Sequence, residues 1–127
     1  MLDHIGVDVT DIRRSRTFYE AALKPLGYRV IQELTREQTG ANPIVMFGMD
    51  APEFVIAEDR SPGPGNHFAF RAETRAAVDA FHAAALQAGG RDNGAPGLRP
   101  NYGPTYYAAF AFDPDGFNIE AVCHAPD

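Results

Sequence analysis

Two histidines and one glutamate are the residues of this 127-residue chain whose types and spacing could do metal chemistry. Laid over itself with a shift of 63 residues, the sequence matches His4 with His67, Phe18 with Phe81, Ala21-Ala22-Leu23 with Ala84-Ala85-Leu86, and Gly27 with Gly90. The same register sets Asp50 on Asp113, Ile56 on Ile119 and Ala57 on Glu120. A chain built from two copies of one unit places equivalent positions around a pseudo-twofold axis. That brings His4, His67 and Glu120 within reach of one centre. Imidazole nitrogen and carboxylate oxygen suit one divalent ion such as zinc, iron, manganese, nickel or cobalt. Three protein ligands leave coordination positions open for substrate oxygens, which catalysis requires. Glu120 is therefore both a candidate ligand and the candidate catalytic residue.

The elements that must hold these residues are readable from periodicity. Residues 2–9 alternate, with Ile5, Val7 and Val9 on one side and His4, Gly6 and Asp8 on the other, as in a half-buried strand. Asp11 is a good N-cap, and Ile12, Ser15, Phe18, Tyr19, Ala22, Leu23 and Leu26 recur at helical spacing until Pro25 and Gly27 stop them. Residues 28–34, 44–48 and 53–57 read as strands, the last after Pro52. Ser61-Pro62-Gly63-Pro64-Gly65 reads as a linker. Residues 67–72 then repeat the first alternation, Thr74 is a candidate cap, and Val78, Phe81, Ala85 and Leu86 form a second helical stripe ended by Gly89-Gly90.

A Pro/Gly-rich segment over 93–104 precedes two final strands at 106–112 and 117–123. Asp113-Pro114-Asp115-Gly116 joins them with the residue order of a type I turn. In the last strand Phe117, Ile119 and Ala121 would pack, leaving Asn118, Glu120 and Val122 on the open side with the histidines. Each copy is thus β-α-β-β-β, although the second strand of the second copy, near Arg91, is poorly signalled. The expected organisation is one domain of two modules, 1–60 and 66–127.

Other polar residues have plainer readings beside the functional one. Asp8 and Arg71 are equivalents under the shift and face the open side; they could form a structural ion pair or bind a charged substrate. Arg99, Asn101, Tyr102 and Tyr106 lie in or beside the long loop, where an arginine with tyrosines could bind an anionic oxygen, or simply form a packed lid edge. His82 reads as a helix-face residue and His124 as exposed. Asp113-x-Asp115-Gly116 begins like a calcium loop, but the twelfth position is His124 rather than an acid. Cys123 should be buried and inert.

Bulk properties narrow the class. The single cysteine excludes an internal disulfide framework. A net charge of -6 would repel nucleic acid. No apolar run is long enough to span a bilayer and no secretory signal is visible, so a cytoplasmic protein handling a small molecule is the expectation.

Three stretches carry a resemblance to a known family: the opening LDHIGVDVTDIRRSRTFYEAAL, the central GNHFAF and the closing DPDGFNIEAV. They resemble the vicinal oxygen chelate superfamily, which includes glyoxalase I, bleomycin-resistance proteins, fosfomycin-resistance enzymes and extradiol dioxygenases. The resemblance implies an α+β fold in which paired βαβββ modules form a cupped mixed sheet with helices on its outer face. It puts metal ligands at His4, His67 and Glu120. Glyoxalase I uses a fourth ligand, usually acidic, at a position that falls on Ala57 here, with Glu58 next door but facing away. The usual two-acid isomerisation is thus not expected. What remains is a metal-dependent enzyme, of isomerase, lyase or dioxygenase type, acting on a small substrate with neighbouring oxygens. The alternative is a metal-free small-molecule or drug-binding protein. A homodimer is also implied, in which His4 and the His67/Glu120 pair could come from different protomers.

Overall fold

Asp11 starts the first helix as its position predicts: its Oδ1 accepts from the backbone N–H of Arg13 and Arg14 at 3.1 and 3.2 Å. The computed structural model describes residues 3–59 and 67–126. Helix α1 runs Ile12–Leu23 and buries Ser15, Phe18, Tyr19, Ala22 and Leu23. A 3-10 turn at Lys24–Leu26 then ends on Gly27, whose φ of 90° is the left-handed conformation that glycine adopts most cheaply. Around this helix lie β1 (Ile5–Val9), β2 (Arg29–Leu34), a short α2 (Arg36–Thr39), β3 (Ile44–Gly48) and β4 (Phe54–Glu58). The second module repeats the order: β5 (His67–Arg71), α3 (Arg75–Gln87), β6 (Arg91–Leu98), β7 (Tyr107–Phe112) and β8 (Asn118–Cys123). Thr74 caps α3 by accepting from Ala77 N.

Each module is a mixed four-stranded sheet with the same topology. The first has the order β1-β4-β3-β2 and the second β5-β8-β7-β6, with the outer pair parallel and the others antiparallel. This is the α+β arrangement of paired βαβββ modules. Helix α1 packs on β3 and β4, α3 packs on β6, β7 and β8, and the two helices touch each other. One apolar cluster results, running from Val7, Val9 and Phe54 through Phe18 and Phe81 to Ile119 and Cys123. Phe54 of β4 meets Phe70 of β5 edge-on at 5.2 Å, so the modules share this core. The open face of each sheet is left free of helices.

The Asp113–Gly116 turn does more than connect strands. Asp113, buried, accepts from the backbone N–H of Asp115 and Phe117 and from the Tyr19 hydroxyl at 2.7 Å. Asp115 accepts from Thr10 N and Thr10 Oγ1 and pairs with Arg14 at 3.4 Å. Both acids of the turn are thus spent binding the start and middle of α1 in the other module, which accounts for their presence without calcium.

Several expectations are corrected. The weakly signalled strand near Arg91 is present as β6, and it runs over Arg91–Leu98, well into the Pro/Gly-rich segment. It is an edge strand with register shifts around Gly94, and an edge tolerates Pro96 and glycines that a central strand would not. Leu86 is exposed rather than part of the α3 stripe. The α2 turn, with its Thr35/Gln38 capping box, had no reading at all. The expected linker, residues 61–65, falls outside the described residues. Cys123 is buried as expected, with Sγ 3.6 Å from the Glu73 carbonyl oxygen.

Candidate functional site

His67 begins β5 and Glu120 lies two residues into β8; the parallel ladder pairs His67 with Asn118 and Ala69 with Glu120. Alternation points both side chains to the open face, and His67 Nε2 comes to 3.2 Å from Glu120 Oε2. The carboxylate is only 3% exposed. His67 Nδ1 is 2.9 Å from the backbone carbonyl oxygen of Asn118. A carbonyl can only accept, so Nδ1 carries a hydrogen and Nε2 is the nitrogen that faces Glu120. A backbone carbonyl on the far nitrogen is the usual second contact of a metal-ligating histidine. The contact between Nε2 and Oε2 needs a proton or a metal ion between the two atoms.

The other oxygen of Glu120 is held too. Tyr106, in the loop before β7, donates its hydroxyl to Glu120 Oε1 at 2.5 Å. Burial first, then the hydrogen bond to Glu120 and its charge, push the Tyr106 hydroxyl up to about 12. His67, Glu120, Tyr106, Tyr102, Phe110 and Asn118 together line a cavity of about 350 Å³. Phe110, from β7, stacks on the His67 ring at 6.3 Å and 29°. Its place was not foreseen, because a phenylalanine within an apolar strand reads as core from sequence. Asn118 is steadied by Asn93 Nδ2 at 3.1 Å.

His4 lies elsewhere. It precedes β1 and lines a separate concavity on the first sheet with Asp3, Met46, Ala51, Pro52, Glu53 and Val55, sharing no lining residue with the His67 cavity. His4 Nδ1 is 2.7 Å from Asp3 Oδ1, so here as well the hydrogen sits on Nδ1 and Nε2 is free. Within one chain, and among the described residues, no three His, Cys, Asp or Glu side chains gather closely enough to hold a metal. The chain brings together two of the three expected ligands.

The ladders also correct the internal register. In the first module Gly6 pairs with Val55, whereas in the second Ala69 pairs with Glu120. Measured from the two histidines, the counterpart of Glu120 is therefore Val55, not Ala57, which pairs with Asp8. The second module spends two more residues between its first and last strands, and a slip of two keeps the same face. Valine cannot bind metal any more than alanine can; the acids beside His4 are Asp3 and Glu53, which line the same concavity. Glu58 does face away: its carboxylate accepts from Ile12 N at 3.1 Å and meets Arg36 at 3.3 Å.

The remaining expected residues divide. Tyr102 and Tyr106 line the cavity, their rings 5.4 Å apart. Arg99 does not line the cavity but lies against Phe110, which does: Nη1 donates to the Gly97 carbonyl at 2.9 Å, Nη2 to that of Ala95 at 2.7 Å, and the guanidinium carbon lies 5.4 Å from the Phe110 ring centre. Asn101 is exposed in the loop and does not line the cavity. Arg71, at the far end of β5, lines a different groove with Pro25, Gly27 and Thr74, and among the described residues no ion pair joins it to Asp8. His82 bonds Asp92 at 2.8 Å and takes no part in the site. His124 is exposed, as expected, but its ring also meets the Tyr106 ring edge-on at 5.3 Å.

Comparison with known proteins agrees with this geometry. None of the curated proteins compared with the chain matches it. Among solved structures, a glyoxalase/bleomycin resistance protein from Albidiferax ferrireducens T118 is 30% identical, covering 97% of this chain and 98% of that one, with a TM-score of 0.78. A glyoxalase/bleomycin resistance protein/dioxygenase domain from Frankia sp. EAN1pec shares the fold at 16% identity and a TM-score of 0.71, covering 97% of this chain and 96% of that one. A glyoxalase I variant from Zea mays does so at 22% and 0.73, covering 95% of this chain and 46% of that longer one. The family model described as Glyoxalase/Bleomycin resistance protein/Dioxygenase superfamily matches residues 1–121. Matched modules, open sheet faces and a family match over residues 1–121 lead to one statement: this chain belongs to the glyoxalase/bleomycin resistance protein/dioxygenase superfamily.

Proposed function

We propose that the protein is a metal-dependent enzyme acting on a small substrate with neighbouring oxygens, and that His67 and Glu120 supply two of the metal's ligands. The observation that carries this reading is the pairing of an imidazole, oriented through Nδ1, with a buried carboxylate at 3.2 Å. Such a contact calls for a shared proton or a metal ion, and nitrogen with carboxylate oxygen suits a borderline divalent ion. The third ligand in this reading is His4 of a second copy, whose Nε2 is free on an open sheet face. When bound, the ion would polarise substrate oxygens and stabilise an anionic form of the substrate.

The chain's own groups define the rest. Asn118 fixes the imidazole, Tyr106 ties one oxygen of Glu120 so that the other stays turned toward His67, and Tyr102 and Phe110 supply aromatic walls. Glu120 is also the acid placed to take or return a proton at its Oε2. In the first module Val55 and Ala57 leave those two positions without an acid, and the acids beside His4 are Asp3 and Glu53, which line the same concavity.

Elemental analysis of purified protein, wild type against His67→Ala, tests the reading. Bound divalent metal that is lost in the variant is expected; protein without metal that ignores added divalent ions contradicts it. A second reading, a metal-free binding protein with an imidazolium–carboxylate pair, draws on the absence of a three-ligand cluster among the described residues. Binding of an aromatic compound that is indifferent to Glu120→Gln would support that reading instead.

A further inference from the structure

Arg99 is held in a way that its loop position does not require. Its guanidinium lies against β6 over two glycines: a Cβ added at Gly94 would come within 3.2 Å of Nη2, and one at Gly97 within 3.2 Å of Nη1. A side chain at either position would press on the guanidinium and shift it by a few tenths of an ångström. Two of its five N–H donors go to the carbonyls of Ala95 and Gly97, and one face lies on Phe110. All of these partners are uncharged. Among the described residues no carboxylate pairs with Arg99, so its charge is fixed in direction and not neutralised. Phe110 is the ring that also stacks on His67 and lines the cavity, which puts the guanidinium one ring away from the candidate metal ligands.

We propose that Arg99 is the anion-binding end of this site, so that the substrate is a small acid whose carboxylate lies on Arg99 while its neighbouring oxygens face His67 and Glu120. The inference rests on the reading above for the second half of that statement and on Arg99 alone for the first. The chain carries a net charge of -6 and the cavity contains Glu120, so an anion has no general attraction to this surface. A local, preorganised cation is what makes an acid bind here. Arginine suits the task because its planar fork matches two carboxylate oxygens and stacks on an aromatic face at once.

Two matched probes separate charge from oxygen chelation: 3,4-dihydroxybenzoate and 3,4-dihydroxybenzamide share neighbouring oxygens and differ in one negative charge. Calorimetric titration of the intact protein, with and without added zinc, is expected to show the acid binding about tenfold tighter than the amide in both conditions. Arg99→Gln should abolish that preference, weakening the acid about tenfold more than the amide. Arg99→Lys should weaken it, and Arg71→Gln, in the other groove, should leave it intact. A wild type without preference, or a preference that survives Arg99→Gln, overturns the proposal. So does loss of amide and acid binding together in both Arg99 variants, because Arg99 would then serve only to shape the loop. The zinc arm reads separately: two probes indifferent to zinc contradict the metal reading and leave the charge comparison standing.

Discussion

At the scale of single residues, the site is visible as a place where stability is given up. Glu120 is buried with one oxygen 3.2 Å from His67 Nε2, a contact that needs a proton or a metal ion between the two atoms. Glutamine at this position would accept from Tyr106 and donate to His67 Nε2, satisfying every partner without a cation. Glu120→Gln should therefore raise the stability of metal-free protein by about 1 kcal/mol while abolishing metal binding. Chemical denaturation and elemental analysis on the same preparations check both halves. Tyr106 gives a pH signature. Its hydroxyl is raised in the folded state from 10.0 to about 12. A group raised on folding contributes fully below its unfolded value and loses that contribution as pH rises through the folded one. The stability of metal-free wild type relative to Tyr106→Phe should thus be constant up to pH 10 and decline toward pH 12, as followed by denaturation at a series of pH values.

Elements position these residues, and their legibility in the sequence differed for physical reasons. The facing of His67 and Glu120 followed from alternation, since period two leaves no choice of side once the apolar residues are packed. Both N-caps were legible because aspartate and threonine act on N–H groups two or three residues away. The ladder offset that replaces Ala57 with Val55 was not, because pairing depends on turn and loop lengths that no local pattern encodes. Strand β6 was hidden by Gly94, Pro96 and Gly97, two of which are explained by the guanidinium lying over them. Tyr106 reads from the sequence as a possible substrate contact, yet its hydroxyl donates to Glu120. The Asp113–Gly116 turn was read as a connection only; its grip on α1 is a tertiary contact between modules. Asp115→Ala removes the bonds to Thr10 and Arg14 and should destabilise the protein by roughly 1–2 kcal/mol, measured by thermal or chemical unfolding, without altering the His67 cavity.

At the scale of the whole molecule, the two sheets present their open faces separately. One carries His67 and Glu120 and the other His4. Two copies related by a twofold axis would set the first face of one against the second face of the other, twice over, forming two sites per dimer. Metal affinity should then depend on protein concentration, and dilution below the dimer dissociation constant should release the ion, as read by a chelating dye. The most direct measurement uses two variants that each destroy a different half. His4→Ala and His67→Ala proteins, alone, should hold no metal. Mixed in equal amounts and allowed to exchange subunits, they should recover roughly a quarter of the wild-type metal content, because half the dimers are mixed and each regains one intact site. A mixture that holds no more metal than either variant alone, while wild type loads fully, would contradict a centre built from His67 and Glu120 of one protomer and His4 of its partner.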